Sequence, residues 1–180
     1  MVVSNSYGGS WRRNLSGGES MDYLRTIIPV GMYKLANSYY SMSANDPSDW
    51  RAWVAIGKGS VDWTTFEVPT PLSTQLLLYD EIARVEPMWA GYLDETLYDL
   101  SEIQYSATQT KVLRYVAEFS SDTLSKLGLT GVYLREYGLF MDGMHLKDSG
   151  DPCLFVDHSR FWWDAGVRLR REIIMDLRGE

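Results

Sequence analysis

Hydrophobic and polar side chains alternate along several segments of the chain, which is the pattern of a half-buried β-strand. The alternation predicts strands over residues 50–57, 111–119, 131–140, 153–158 and 167–177. The last segment is the clearest, because most of its apolar residues have odd numbers and most of its charged residues have even ones. A period of two with one polar face is typical of an antiparallel sheet that meets solvent on one side.

Two of these strands have apolar faces that can be assigned residue by residue. The face predicted for 50–57 consists of Trp50, Ala52, Val54 and Ile56, and the face predicted for 111–119 consists of Leu113, Tyr115, Ala117 and Phe119. Residues 86–109 are less regular, and we expect two strands there that are joined near residues 94–96. Most of the predicted strands thus lie in the C-terminal half of the chain.

Two segments in the N-terminal half instead have apolar residues at helical spacing. Residues 20–40 begin with a serine that can cap a helix, and Pro29 with Gly31 predicts a kink within it. Residues 72–84 repeat the helical spacing over a shorter stretch, which predicts a short helix.

Together these patterns predict a mainly β protein of the α+β class, an antiparallel β-sandwich with one or two N-terminal or inserted helices. Residues 1–20 are rich in Gly and Ser, and we expect an extended arm that is either loose or ordered on a neighbouring subunit. Residues 21–180 are expected to form a single β-rich domain. The regular alternation of strands and helices that builds a nucleotide-binding doubly wound sheet is missing.

The charge and the cysteine content exclude several classes of protein. Lys and Arg number 17 against 24 Asp and Glu, a formal net charge of −7, which argues against nucleic acid as a partner. The single cysteine excludes a framework of intrachain disulfides. The first twenty residues lack the apolar run of a secretory signal, and no apolar stretch is long enough to span a membrane, so we expect synthesis in a cytoplasm and no membrane partner.

Aromatic residues are in surplus, with 7 Trp, 12 Tyr and 5 Phe, more flat apolar surface than a small core usually needs. Aromatic and arginine side chains anchor protein interfaces. The residues that we expect at interfaces are Trp11, Arg12, Arg13, Trp63, Phe66, Trp89, Trp162, Trp163, Arg168 and Arg170. Arg168, Arg170 and Arg171 form a dense basic cluster, which fits either a solvated strand face or a contact with an acidic neighbouring subunit.

Residues with catalytic or metal-binding chemistry do not match known spacings. The segment AIGKGS at 55–60 lacks the first glycine of a phosphate loop and is not followed by a helix, so a glycine turn explains it better. Cys153, His145, His158 and Asp157 do not have the spacing of a structural zinc site. Nearby aspartates would also oppose the thiolate that a catalytic cysteine requires.

Two further groups of acidic residues lack the geometry of a calcium site or of a pair of catalytic carboxylates. The loop 142–151 contains three aspartates but lacks the register of a calcium-binding loop. The adjacent pairs Asp80–Glu81 and Asp94–Glu95 do not converge on one bond as the carboxylates of a glycosidase do. We therefore expect a binding or structural protein rather than an enzyme, with no catalytic residues, no cofactor and no metal.

Four short motifs follow one another along the chain. They are AIG-x-G ending at Gly59, L-x4-E-x2-R with Glu81 and Arg84, E-x-GLF at residues 136–140, and LF at 154–155 before the last alternating strand. In this order, over roughly residues 24–177, they resemble small structural proteins of tailed bacteriophages that are described as tail-fibre, tail-collar or baseplate-associated. Lys58 and Ser60 depart from the GTGT turn that is common in that family.

The resemblance implies a β-rich module that forms homo-oligomers of three-fold or higher symmetry and docks fibres or parts of the neck and baseplate. It implies turn glycines, a fixed ion pair and a strand core, rather than catalysis, for Gly57, Gly59, Glu81, Arg84, Glu136, Gly138, Leu139 and Phe140.

The leading hypothesis is thus a virion structural protein, made in the host cytoplasm, that binds other virion proteins as a multi-copy adaptor in the neck, tail or baseplate. One alternative is a capsid decoration protein that clamps the shell with its N-terminal arm. Another is a carbohydrate-binding module for host recognition, whose exposed Trp and Tyr side chains stack on sugars.

Overall fold

The structure is a computed structural model that describes residues 23–27, 52–63, 74–94, 105–106, 108 and 110–176. The described residues form nine strands and one short helix. The strands are β1 (Tyr23–Ile27), β2 (Ala52–Gly57), β3 (Glu81–Val85), β4 (Trp89–Leu93), β5 (Tyr105–Ser106), β6 (Val112–Phe119), β7 (Gly131–Met141), β8 (Asp151–Asp164) and β9 (Leu169–Asp176), and the helix is α1 (Thr123–Lys126).

The strands form two antiparallel sheets, which confirms the prediction of a mainly β protein. The first sheet has the order β1-β8-β7-β2-β3, and the second has the order β5-β4-β6-β9. The longest ladder joins β7 to β8 and runs from the pair Gly131–Asp164 to the pair Met141–Asp151. This ladder forms the centre of the first sheet together with β2, which pairs with the other edge of β7.

One buried cluster of side chains receives residues from both sheets. Val54 and Leu139 come from the first sheet, and Leu113 and Tyr115 come from the second. The apolar faces predicted for β2 and β6 are therefore confirmed wherever the structure describes them. A smaller cluster, made of Ala55, Leu78, Phe140 and Phe155 with Trp53 packed against it, lies on the opposite side of the first sheet, which we call the outer face.

The β7–β8 ladder contains an irregularity that determines where several charged residues lie. Between the pairs Leu134–Phe161 and Glu136–Asp157, β7 has one residue and β8 has three. Leu134 and Phe161 contact the core. Asp157 is two residues from Phe155 on β8, so it shares the outer face with it, and its partner Glu136 lies on that face as well.

The helix predicted over residues 20–40 is wrong where the structure describes it. Tyr23–Ile27 is the edge strand β1, and it pairs antiparallel with β8 from Tyr23–His158 to Ile27–Leu154. The short apolar run is compatible with either element, and the exposed backbone edge of the long β8 decides for the strand. Residues 20–22 and 28–40 of the predicted helix lie outside the described residues.

The helix predicted over residues 72–84 is also wrong. Residues 74–80 form a loop, and Glu81–Val85 is the strand β3, which pairs with β2. The helical spacing would put Leu76 and Tyr79 on the buried face of that helix, but both side chains are exposed and Leu78 is buried. The helical spacing was accidental in a short segment whose backbone hydrogen bonds go to a neighbouring strand.

The remaining strand predictions are confirmed with changed bounds. The segment 153–158 belongs to a strand of fourteen residues, β8. The last strand begins at Leu169, and the odd-numbered Ile173 and Met175 are buried as the alternation predicts. The region 86–109 contains β4 and β5, which pair with each other. Within the described part of the chain, no helix is long and apolar enough to cross a membrane.

Candidate functional site

Two loops beside β2 and β3 carry exposed apolar side chains. Residues 58–63 follow β2 and residues 74–80 precede β3, and Lys58 N–H donates to the Asp80 carbonyl at 2.9 Å. The two side chains of that pair also form a salt bridge of 2.6 Å. The exposed apolar side chains of these loops, here called the loop patch, are Val61, Leu76, Leu77 and Tyr79. Contiguous apolar surface rimmed by charges marks sites of protein contact.

Trp63 packs the two loops against the first sheet. Its ring lies edge-on to Tyr79 with centroids 5.1 Å apart, and the Arg135 guanidinium lies 5.1 Å from the indole centroid. Arg135 also donates to the Trp63 carbonyl at 3.1 Å. Gly59 allows this arrangement, because its φ is +76° and a Cβ there would lie 2.3 Å from the indole.

Glu136 of β7 holds both loops from beneath. Its carboxylate accepts hydrogen bonds from the backbone N–H groups of Gly59 at 3.1 Å, Tyr79 at 3.1 Å and Asp80 at 3.0 Å. Burial raises the pKa of Glu136 above its ordinary value, and the three N–H donors act in the opposite direction. Gly57 lies directly opposite, where a Cβ would stand 2.3 Å from Glu136 Oε1. The carboxylate and the two glycines therefore form one fitted unit.

A buried ion pair holds a third loop. Arg84 donates from Nε to Glu81 Oε1 at 2.7 Å and from Nη2 to Glu81 Oε2 at 2.6 Å. Its Nη1 donates to the Ser149 carbonyl at 2.5 Å and to Ser149 Oγ at 2.9 Å, and Asp148 N–H donates to Glu81 at 3.3 Å. The loop 142–150 is therefore fixed to β3 by charge-assisted hydrogen bonds.

The ion pair exists because β3 is irregular. Glu81 pairs with Gly57, whereas Ala83 pairs with Ile56, so the register shifts by one residue between them. A regular strand would place positions i and i+3 on opposite faces. The bulge instead puts Glu81 and Arg84 together on the outer face.

The other motif residues lie on β7. Leu139 is fully buried in the core, and Phe140 lies edge-on to Phe155 on the outer face with centroids 5.7 Å apart. Gly138 leaves room for the two rings, since a Cβ there would lie 3.0 Å from each. Eight motif residues thus lie in the first sheet or in the turn that leaves β2, namely Gly57, Gly59, Glu81, Arg84, Glu136, Gly138, Leu139 and Phe140.

Asp157 lies directly opposite Glu136 in the ladder and has a different environment. It is 1% exposed, and neither of its carboxyl oxygens has a hydrogen-bond partner among the described residues. Burial and then the charge of Glu136 raise the pKa of Asp157 to about 8, while Arg135 acts in the opposite direction. Carboxyls with separated pKa values can act as acid and base, but both of these are closed off from solvent.

His158 points to the other side of the strand and is part of the packing. Its ring lies 5.8 Å from Tyr137 and 5.3 Å from Phe161 by centroid distance. Arg171 of β9 lies 4.5 Å from the Phe161 centroid, which links the second sheet to the first. Burial and then the charge of Arg171 lower the pKa of His158 to about 3, so the imidazole is neutral at physiological pH.

The residues weighed as metal ligands or nucleophiles are dispersed. Cys153 is buried in the core, and burial followed by the charges of Asp151 and Asp142 raises the pKa of its thiol. His145 is exposed on the loop after β7. Within the ranges that the structure describes, no three His, Cys, Asp or Glu side chains are grouped so that they could hold a metal ion.

The two adjacent tryptophans of β8 have opposite environments. Trp162 is 48% exposed, whereas Trp163 is 3% exposed and belongs to the core. Trp163 Nε1 donates to the Val167 carbonyl at 2.8 Å. This corrects the expectation that Trp163 lies at an interface, because neighbouring side chains of a strand point to opposite faces.

The basic cluster is partly balanced within the chain. Arg168 is exposed and lies 3.3 Å from the Glu118 carboxylate. Arg170 is exposed, whereas Arg171 reaches the aromatic rings between the sheets. Trp89 is half-buried, with the Arg114 guanidinium 5.6 Å from its ring centroid. The predicted interface residues that lie outside the described residues are Trp11, Arg12, Arg13 and Phe66.

No protein-family model matches the chain, and a comparison with curated proteins finds no match either.

Sequence reasoning missed the supporting role of Arg135 and Tyr79. Arg135 and Glu136 are adjacent charges in an otherwise apolar strand, which is a signal that at least one of them lies on a buried face. Tyr79 gave no such signal, because its contact with Trp63 depends on how two loops fold against each other.

Proposed function

We propose that this chain is a bacteriophage virion structural protein, a multi-copy adaptor of the neck, tail or baseplate that anchors fibres or adjoining rings. The order of the four sequence motifs supports the class of protein. The location of the motif residues in one region, where they hold loops in place, supports a structural role for them. The single observation that carries the proposal is the loop patch.

The loop patch is preorganised for contact with another protein. Its two loops are joined to each other by the Lys58–Asp80 pair and to β7 by the three hydrogen bonds that Glu136 accepts. Loops that are fixed before binding lose less conformational entropy on association. Its exposed Leu76, Leu77 and Tyr79 supply apolar area, and the charged pair supplies the polar rim of an interface.

The proposed architecture is a β-sandwich of the two sheets, with residues 1–20 as an arm that contacts a neighbouring subunit. The proposed assembly is a homo-oligomer of three-fold or higher symmetry in the virion. Its action is stoichiometric binding to other virion proteins, without nucleic acid, membrane or cofactor.

The test is the oligomeric mass of the full chain, measured by native mass spectrometry and by light scattering across a concentration series. We expect the wild-type chain to form a closed oligomer of at least three copies. The combined variant V61S/L76S/L77S should be monomeric, because it removes most of the apolar area of the loop patch and leaves the contact of Tyr79 with Trp63 and the buried support intact.

The matched control is Met88→Ser, which removes an exposed apolar side chain outside the loop patch. It should keep the oligomeric mass of the wild type. A wild-type chain that stays monomeric at the highest concentration reached, also in the presence of lysate from phage-infected cells, would contradict the proposal.

A further inference from the structure

A second surface, at the pair Tyr133–Trp162 of the β7–β8 ladder, presents an ordered aromatic ring. A Cβ at Gly131 would lie 2.2 Å from the Trp162 ring, so the indole lies directly on the backbone of β7. Trp162 Nε1 donates to Asp164 Oδ1 at 2.5 Å, which satisfies its polar atom within the chain. The indole therefore offers solvent an apolar face in a fixed orientation.

An arginine is held beside that ring. Tyr133 lies edge-on to Trp162 with centroids 4.7 Å apart and is itself 42% exposed. The Arg160 guanidinium lies over the Tyr133 ring, 3.7 Å from its centroid. Arg160 is exposed, and the described residues offer it no carboxylate partner within salt-bridge distance. Stacking on an aromatic ring fixes the plane of a guanidinium whose N–H donors can bind a planar anion.

The size of this surface favours a small ligand over a protein. Two half-exposed rings offer far less than the roughly 800 Å² per partner that a stable protein interface buries. The C–H face of a pyranose ring matches one exposed indole face. A carboxylate on the same sugar matches the guanidinium, since arginine binds carboxylates in bidentate fashion.

We propose that Trp162, Tyr133 and Arg160 form a binding site for an acidic saccharide, in which the indole stacks on a sugar ring and Arg160 binds its carboxylate. This inference concerns a different surface from the loop patch and does not rest on the proposed adaptor function. The net charge of −7 would repel an acidic saccharide from the molecule as a whole, so binding requires the local site.

The test uses trigalacturonic acid, its methyl ester and neutral maltotriose as probes, titrated into the full chain by calorimetry and by tryptophan fluorescence. We expect saturable binding of the acid and binding of the ester that is weaker by about tenfold or more, since the ester lacks the charge that Arg160 recognises. Maltotriose should bind no more tightly than the ester.

Two variants separate the two contacts. Arg160→Gln should bind the acid and the ester about equally, and Trp162→Ala should lose about tenfold or more for both ligands. The exposed Arg170→Gln is the control and should bind like the wild type, and circular dichroism should show the same fold in all three variants.

Absence of saturable binding of the acid by the wild type would overturn the proposal. So would an unchanged preference for the acid in Arg160→Gln, or unchanged affinity in Trp162→Ala. If Trp162→Ala instead alters the oligomeric mass and no saccharide binds, the surface is a protein contact and the saccharide site is wrong.

Discussion

Glu136 and Asp157 are carboxyl residues directly opposite each other on one face of the same ladder, yet their surroundings differ in one decisive respect. Glu136 accepts three backbone hydrogen bonds from two loops, whereas Asp157 accepts none within the part of the chain that the structure describes. Both side chains are buried, so burial alone does not explain the difference. The two residues differ in their hydrogen-bond donors, because the described residues of the loops between β2 and β3 direct backbone N–H groups toward Glu136 and not toward Asp157.

The comparison separates two functions of a buried acid. Glu136 holds two loops in place, because its carboxylate accepts hydrogen bonds from three of their backbone N–H groups. Without it those donors would lose their acceptor. Asp157 fixes no loop among the described residues. Burial and the charge of Glu136 raise its pKa, so it is protonated near neutral pH. The first residue should therefore determine how stable the loops are, and the second should determine how stability depends on pH.

The largest expected effect is that of Glu136→Ala. The substitution leaves the N–H groups of Gly59, Tyr79 and Asp80 without their acceptor, and we expect a loss of about 3–5 kcal/mol in the free energy of unfolding. The measurement is equilibrium denaturation in urea at neutral pH. Glu136→Gln, which keeps an oxygen acceptor, should lose less than the alanine variant.

The control for this prediction is Glu118→Gln, whose carboxylate forms an exposed pair with Arg168. It should change the free energy of unfolding by less than about 1 kcal/mol. Equal losses in Glu118→Gln and Glu136→Ala would mean that the three hydrogen bonds of Glu136 have no special part in stability.

The next effect is the pH dependence that Asp157 confers. Its pKa rises from the ordinary 3.8 to about 8 in the folded chain, so the folded state binds the extra proton between those values. Stability from this group is complete below about pH 4 and is lost as pH rises to about 8. Asp157→Asn stays neutral throughout, so it should exceed the wild type in stability above pH 8, by on the order of 2 kcal/mol or more.

His158 contributes with the opposite sign over a lower range. Its pKa falls from 6.5 to about 3 on folding, so its contribution is present above about pH 6.5 and is lost as pH falls toward 3. The wild type should therefore lose stability most clearly between pH 6.5 and 8, where only Asp157 titrates of these two groups. Parallel curves for the wild type and Asp157→Asn from pH 5 to 9 would refute the assignment, and the exposed Asp62→Asn should follow the wild type.

A smaller loss is expected from Gly57→Ala. The added Cβ would stand 2.3 Å from Glu136 Oε1 and 2.8 Å from the Asp80 carbonyl, so backbone or carboxylate must shift. Overpacking of this kind costs about 1–3 kcal/mol. Gly128→Ser is not a suitable control, because Gly128 has a φ of +72° and backbone strain would be added.

A combination of substitutions tests the cause of that loss. In Gly57→Ala combined with Glu136→Ala the collision with the carboxylate disappears, so the double variant should lose less than the sum of the two single variants. Strictly additive losses, measured by the same denaturation, would mean that Gly57 and Glu136 are not coupled.

The faces of β2 and β6 could be predicted from the sequence because alternation is a local property of the strand. The strands β1 and β3 could not be predicted in this way, since a few apolar residues fit a helix equally well and the deciding hydrogen bonds come from β8 and β2. The same limit applies to Glu136, whose donors lie 77, 57 and 56 residues away in the sequence. Contacts between residues so far apart in the sequence leave no local pattern from which they could be predicted.

The ion pair of Glu81 and Arg84 was predicted correctly, although the secondary structure predicted for its segment was wrong. The resemblance implies the ion pair, and the spacing places it on a predicted helix. The pair is present, but on a strand whose bulge against Gly57 brings the two side chains to one face. The candidate site was likewise predictable in its motif residues. The exposed side of the loop patch was not, because it depends on which face of residues 74–80 packs against Phe140 and Phe155.

The smallest expected effect is that of Lys58→Gln. This variant removes the exposed salt bridge with Asp80, which joins at the surface the same loops that Glu136 holds from the buried side. Lys58 and Asp80 are 2.6 Å apart, but both side chains are well exposed, at 48% and 39%. Water screens such a pair, so the variant should lose less than about 1 kcal/mol in urea denaturation. The backbone N–H of Asp80 still reaches Glu136 in this variant. A loss as large as that of Glu136→Ala would mean that the surface pair, and not the buried carboxylate, holds the loops in place.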